Sequence, residues 1–120
     1  MLSTDPKERK EVPVATGFMD YFPDAIIAVA KVSFLGNQQH NPGQPLHWAR
    51  EKSADHSDTL MRHFMERGKL DTDGTPHSAK MVWRALAILQ LEMEMRERVR
   101  MPATSEEQIR RNQQEALKKL

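Results

Sequence analysis

From Met81 to Leu91 the chain reads MVWRALAILQL, and no other stretch restricts the fold as much. A helix that is apolar nearly all round is stable only when neighbours cover it. The run is therefore expected as the central, most buried helix, with Trp83, Leu86, Ile88 and Leu89 in the core or at a subunit contact. Nothing elsewhere shows the period-two alternation of a half-buried strand, and no segment repeats. The fold class that follows is all-α.

Start and stop signals divide the chain. Pro23 suits a first helical turn and Asp24 the positive end of the helix dipole, while Gly36 and Asn37 can close the helix. A second helix starts near Asp55 and stops at Gly68. A third opens at Pro76 or His77 and stops before Pro102. These signals predict a three-helix core over about 23–36, 55–68 and 77–100. A peripheral C-terminal helix is introduced by the TSEE capping pattern at Thr104 to Glu107. Residues 1–14 are charged and hold two prolines, which suggests a mobile arm. The expected organisation is thus an arm over 1–14, a helical domain over 15–101 and a tail over 102–120. One chain of 120 residues has little with which to cover a wholly apolar helix, so a homodimer or higher homo-oligomer is expected.

Composition excludes several functions. There is no cysteine, which rules out disulfides and thiolate chemistry. The net charge of +1 supplies no basic field for nucleic acid. No apolar run is long enough to span a membrane, and the N-terminus lacks an apolar signal core, so a cytoplasmic location is expected.

The chemistry is concentrated between residues 37 and 84. Residues 37–53 form a loop longer than most, holding His40, His47, Trp48 and Arg50, groups that stack and hydrogen-bond. Histidines, carboxylates and arginines then converge from two antiparallel helices, a combination suited to metal-assisted phosphate chemistry. Arg84 lies within the apolar run and needs a partner, because a lone buried charge is costly. It either forms an ion pair with Asp58 or Glu66, or clamps a phosphate through paired hydrogen bonds. The DTDG turn at Asp71 opens like a calcium loop, but the twelfth position is Val82 instead of the glutamate an EF-hand requires. None of the five histidines shows the i, i+4 spacing of a helical zinc site.

Four motifs taken together resemble a known family. They are G-x-x-x-H-N-P-G-x-P-x-H-W (Gly36 to Trp48), D-H-x-D-x-x-x-R-H (Asp55 to His63), D-x-D-G-x-x-H (Asp71 to His77) and W-R-A-L-A-x-L-Q-L-E (Trp83 to Glu92). The resemblance covers about residues 16–94 and is to the dATP/dGTP diphosphohydrolase domain common in bacteriophages, distantly like the all-α MazG-like pyrophosphohydrolases. It implies release of pyrophosphate from purine deoxynucleoside triphosphates, with Mg²⁺ or Mn²⁺ held by acidic residues. A phage-encoded member would work in the host cytoplasm. The paired glutamates of the MazG-like helix are absent here, and Asp58, His63, Asp71 and His77 occupy the polar positions instead.

On that resemblance Asp58, His63, Asp71 and His77 are the candidate catalytic residues. Asp58, Glu66 and Asp71 are the candidate metal ligands. Trp48, Arg62, Lys80 and Arg84 are the candidate substrate-binding residues, with Trp48 over the purine and Arg84 on the phosphates. The alternative is a non-enzymatic phage interaction module that binds a partner protein through the long third helix and tail. The enzyme requires Asp58, His63, Asp71, His77 and Arg84 to meet near Trp48, whereas the module leaves them scattered.

Overall fold

The structure is a computed structural model and describes residues 1–99 and 106–120. Among these are five α-helices: α1 (Pro6–Lys10), α2 (Pro23–His40), α3 (His56–Met65), α4 (His77–Val99) and α5 (Glu106–Lys118). A π-helical turn spans Ala15–Met19 and a 3₁₀ turn spans Arg50–Lys52. The all-α class holds. The described residues contain no strand, only one isolated bridge between Leu70 and Pro76.

Two compact units are present, Met1–Ala87 and Ile88–Leu120. In the first, α1 lies within the segment expected to be an arm. Its signal is local: the Asp5 side chain accepts the Glu8 N–H at 3.1 Å and Pro6 occupies the first turn. Helix α2 begins at Pro23 as expected but continues through Gly36 to His40. Gly36 has helical φ, so nothing there obliges the chain to leave the helix. The stop comes from Asn41, whose N–H closes on the Asn37 carbonyl at 2.8 Å while its side chain turns to the Asn37 amide oxygen at 3.1 Å.

Helix α3 ends at Met65, three residues before the glycine expected to stop it. The chain turns over Glu66 and Arg67 and reverses at Gly68, whose φ of +84° is the left-handed conformation that glycine adopts without strain. Helix α4 keeps its expected start and is described through Val99, so its expected end at 100 lies outside the described residues. The break expected at Pro102 and the capping pattern opening at Thr104 lie outside the described residues.

Burial differs from expectation. The buried apolar residues are alanines, Ala79 and Ala87, both on α4. Trp83 and Ile88 are half-buried, while Leu86 and Leu89 are exposed within one chain. What is buried instead is polar: Asn41, His56, Thr59, Thr75 and His77. In the second unit, α5 is exposed along most of its length and carries surface pairs such as Arg111 with Glu107 at 2.6 Å.

Candidate functional site

One cavity of about 450 Å³ lies in the first unit, between the end of α2, the long loop, α3 and the start of α4. Its volume is in the range of small-molecule sites. The loop forms one wall because two asparagines tie it to α2. Asn37 donates to the Gln44 carbonyl at 3.1 Å and accepts the His47 N–H at 3.3 Å. Asn41 donates weakly to the His47 carbonyl at 3.5 Å. Gly43, at φ +77°, lets the chain double back between them. The 13-residue motif from Gly36 to Trp48 is therefore a helix end with its own return loop.

The return loop delivers Trp48 to an aromatic corner. Its ring meets Trp83 edge-on at 5.6 Å and His56 at 6.3 Å, and Arg50 lies over its face at 4.2 Å. Trp83 is anchored from behind, its indole N–H donating to Ser33 of α2 at 2.8 Å.

Beside the corner, Arg84 Nη1 donates to Ser53 Oγ at 2.7 Å and to His56 Nδ1 at 3.0 Å. Among the described residues no carboxylate pairs with it, so the ion pair with Asp58 or Glu66 does not form. Burial pushes the Arg84 guanidinium down from its usual range. His56 is pushed down as well, by burial first and by Arg84 second. The pair is thus a neutral imidazole accepting from a guanidinium whose other N–H groups remain available.

The opposite end is built by the acidic loop. Asp71 N–H donates to the Thr75 carbonyl at 2.8 Å, and His77 N–H to the Lys69 carbonyl at 3.0 Å, which pins the loop at both ends. Gly74 makes its turn at φ +80°. Lys80, one turn into α4, reaches back to Asp71 at 2.7 Å and Asp73 at 2.9 Å. Its hydrogen bond and the Thr72 N–H hold the Asp71 carboxyl down at about 2. Burial works against the Lys80 charge, yet the two carboxylates outweigh it and raise the ammonium.

Next to Asp71, the Nδ1 atoms of His63 and His77 lie 2.9 Å apart, so one donates to the other. His77 Nε2 faces Glu66 at 3.4 Å and Asp71 Oδ1 at 4.0 Å. One ligand atom from each of His63, Asp71 and His77 falls within 4.8 Å of the others. The donor set fits a divalent ion with mixed nitrogen and oxygen ligands. Among the described residues no all-carboxylate cage is assembled.

Of the sequence-predicted residues, Trp48, His63, Asp71, Lys80 and Arg84 line the cavity, and His77 stands behind His63. Asp58 does not join them. It is exposed on α3, five positions before His63 and hence about 140° around the helix. Arg62 also points elsewhere, to Asp55 at 3.3 Å and Thr59 at 2.9 Å. Glu66 touches the cluster only through His77 and is itself exposed.

His56, Ser53 and Asp73 were not among the predicted site residues, yet all three line the cavity. His56 could have been found, because seven residues separate it from His63 and place both on one face. No sequence signal marks Ser53.

A family model described as "dATP/dGTP diphosphohydrolase, N-terminal" matches residues 4–100 of this chain, about four fifths of its length. No curated protein matches the chain. No solved structure matches it.

Proposed function

Because the chain belongs to the dATP/dGTP diphosphohydrolase N-terminal family, we propose that its cavity hydrolyses purine deoxynucleoside triphosphates to the monophosphate and pyrophosphate. The observation that carries this reading is the set of groups that share one cavity. Aromatic Trp48 and Trp83, cationic Arg84 and Lys80, and the His63–Asp71 group all line it. A triphosphate with its base against Trp48 would lay its phosphates along the cations. Of the five groups the enzyme requires near Trp48, His63, Asp71 and Arg84 line the cavity and His77 lies against His63, while Asp58 stays outside. This partial convergence supports the enzyme over the rival interaction module.

The reaction is attack by a water oxygen on the α-phosphorus, with cleavage of the bond to the oxygen bridging to the β-phosphorus. Arg84 is already held by Ser53 and His56, so its free N–H groups can accept charge growing on the phosphate oxygens without reorganising. Lys80 contributes a second positive charge from the same face of α4. Trp48 closes over the purine from the return loop. A divalent cation at the Asp71 end, Mg²⁺ or Mn²⁺, supplies charge neutralisation and a water of lowered pKa when bound.

Assembly belongs to this proposal. The first unit leaves Phe18, Tyr21, Phe22, Ile27, Phe34 and Phe64 exposed, and a second copy of the chain would cover part of this apolar surface. No described helix is long and apolar enough to cross a membrane. We place the protein in the cytoplasm with its nucleotide substrate, the host's cytoplasm if a phage encodes it. The test is product analysis with each deoxynucleoside triphosphate. The reading requires monophosphate and pyrophosphate in equal amounts and fails if no nucleotide yields them.

A further inference from the structure

We propose that His63, Asp71 and His77 form a two-histidine, one-carboxylate site that selects Mn²⁺ or another first-row transition-metal dication over Mg²⁺. The proposal rests on the reading of this cavity as a site of metal-assisted hydrolysis, and it concerns which ion the chain itself chooses.

The argument starts from the donors. Three elements each give one: His63 from α3, Asp71 from the loop and His77 from the first position of α4. Two imidazole nitrogens with one carboxylate oxygen is the set that borderline transition metals take, with further positions left open for water or substrate. Mg²⁺ prefers oxygen throughout and gives up its water reluctantly, so two nitrogens in three positions disfavour it. Among the described residues the further carboxylate against the histidines is Glu66, which meets Nε2 of His77 at 3.4 Å. Asp58 is exposed and absent from the cavity lining, and Asp73 is held by Lys80 at 2.9 Å.

Spacing supports the same set. Two ligands at right angles with bonds of about 2.1 Å stand about 3.0 Å apart. The two Nδ1 atoms are 2.9 Å apart already. Lys80 engages Oδ2 of Asp71, so Oδ1 is the remaining ligand oxygen, and its contact with His77 is to Nε2 at 4.0 Å. The loop bonds from Asp71 N–H to Thr75 and from His77 N–H to Lys69 hold both ligands from the backbone.

Glu66 then acquires a role. With His77 Nδ1 as the ligand atom, Nε2 carries the proton and faces Glu66 at 3.4 Å, the arrangement in which a carboxylate orients a metal-bound imidazole. Glu66 is a positioning residue that acts through His77.

The test uses the full chain, stripped with a chelator and without nucleotide. Calorimetric titration with MnCl₂, CoCl₂, ZnCl₂ and MgCl₂ in turn should give one Mn²⁺ per chain, bound at least tenfold more tightly than Mg²⁺, with Co²⁺ and Zn²⁺ tighter than Mn²⁺ in line with the general affinity order. Bound Co²⁺ should show a visible absorption band altered from that of the free ion. His77→Ala and His63→Ala should each weaken Mn²⁺ binding by tenfold or more, Glu66→Gln by a smaller factor, and Asp58→Asn not at all. Far-UV circular dichroism checks that the variants stay folded, and the Mn²⁺ to Mg²⁺ ratio of the unaltered chain decides the matter without them. Equal affinity for Mg²⁺ and Mn²⁺, or Mn²⁺ binding that survives both histidine substitutions, overturns the proposal. Because no nucleotide is present, either result leaves the hydrolysis reading to its own product assay.

Discussion

Arg84 Nη1 lies 3.0 Å from His56 Nδ1, a bond between α4 and α3 that fixes the state of both side chains. The imidazole must accept, so its proton sits on Nε2. The guanidinium keeps its remaining N–H groups for another partner. If that partner is a phosphate, Arg84→Ala should lower turnover by about 10²-fold, the usual cost of removing one preorganised donor. Arg84→Lys should recover little of it, because an ammonium cannot reproduce the planar fork. Steady-state rates of both variants, with melting temperatures beside them, check this. Unchanged turnover in Arg84→Ala removes Arg84 from the site.

The same bond has a pH signature. Burial, then Arg84, lowers the His56 pKa from 6.5 against the opposing pull of Asp55. The unfolded chain therefore takes up this proton at a higher pH than the folded one. The stability it contributes is complete above about pH 6.5 and is lost as the pH falls through the lower folded value. The His56 ring signal, followed by nuclear magnetic resonance, should titrate below 6.5. In Arg84→Gln it should move back up.

Asp71 behaves likewise in a more acidic window. Its carboxyl, held at about 2 by Lys80 and the Thr72 N–H, adds stability above about 3.8 that disappears as the pH falls toward 2. Lys80→Met should bring the Asp71 pKa back toward 3.8 and flatten this part of the stability profile. Acid unfolding of the two proteins between pH 5 and about 2 makes the comparison. Identical profiles would mean that the 2.7 Å contact carries no weight in solution.

Trp48 stands on a loop and packs edge-on against Trp83 and His56. Trp48→Ala is expected to raise KM about tenfold or more, since stacking on a base is worth about 1–3 kcal/mol, and to lower the melting temperature as well. Trp48→Phe should retain part of the affinity. A fall in kcat at unchanged KM would contradict the placement of the purine at Trp48.

The exposed aromatic and aliphatic surface predicts association. Light scattering at micromolar concentration should return at least twice the chain mass of 13.9 kDa. A monomer would contradict it.

Sequence reading recovered the helices because their signals are local: proline at the start of α2, glycine after α3, period-3.6 apolar residues along α4. Leu86 and Leu89, expected in the core or at a subunit contact, are exposed within one chain, because whether an apolar face is covered depends on other elements and other chains. Trp48, His63, Asp71, Lys80 and Arg84, each beside a turn or breaking an apolar pattern, share one cavity, with His77 against His63. Asp58 was misplaced even though the helical wheel already separates it from His63 by about 140°. The partnership of Arg84 with Ser53 and His56 spans 31 and 28 positions and follows only from how the long loop folds back.

The most direct test of the enzyme reading is to incubate the protein with dATP or dGTP and Mn²⁺ and resolve the products by phosphorus magnetic resonance. The account predicts equal amounts of deoxynucleoside monophosphate and pyrophosphate. It also predicts that Asp71→Asn abolishes both while leaving the helical signal intact. Diphosphate with free phosphate, no monophosphate from any nucleotide, or full turnover in Asp71→Asn would contradict it.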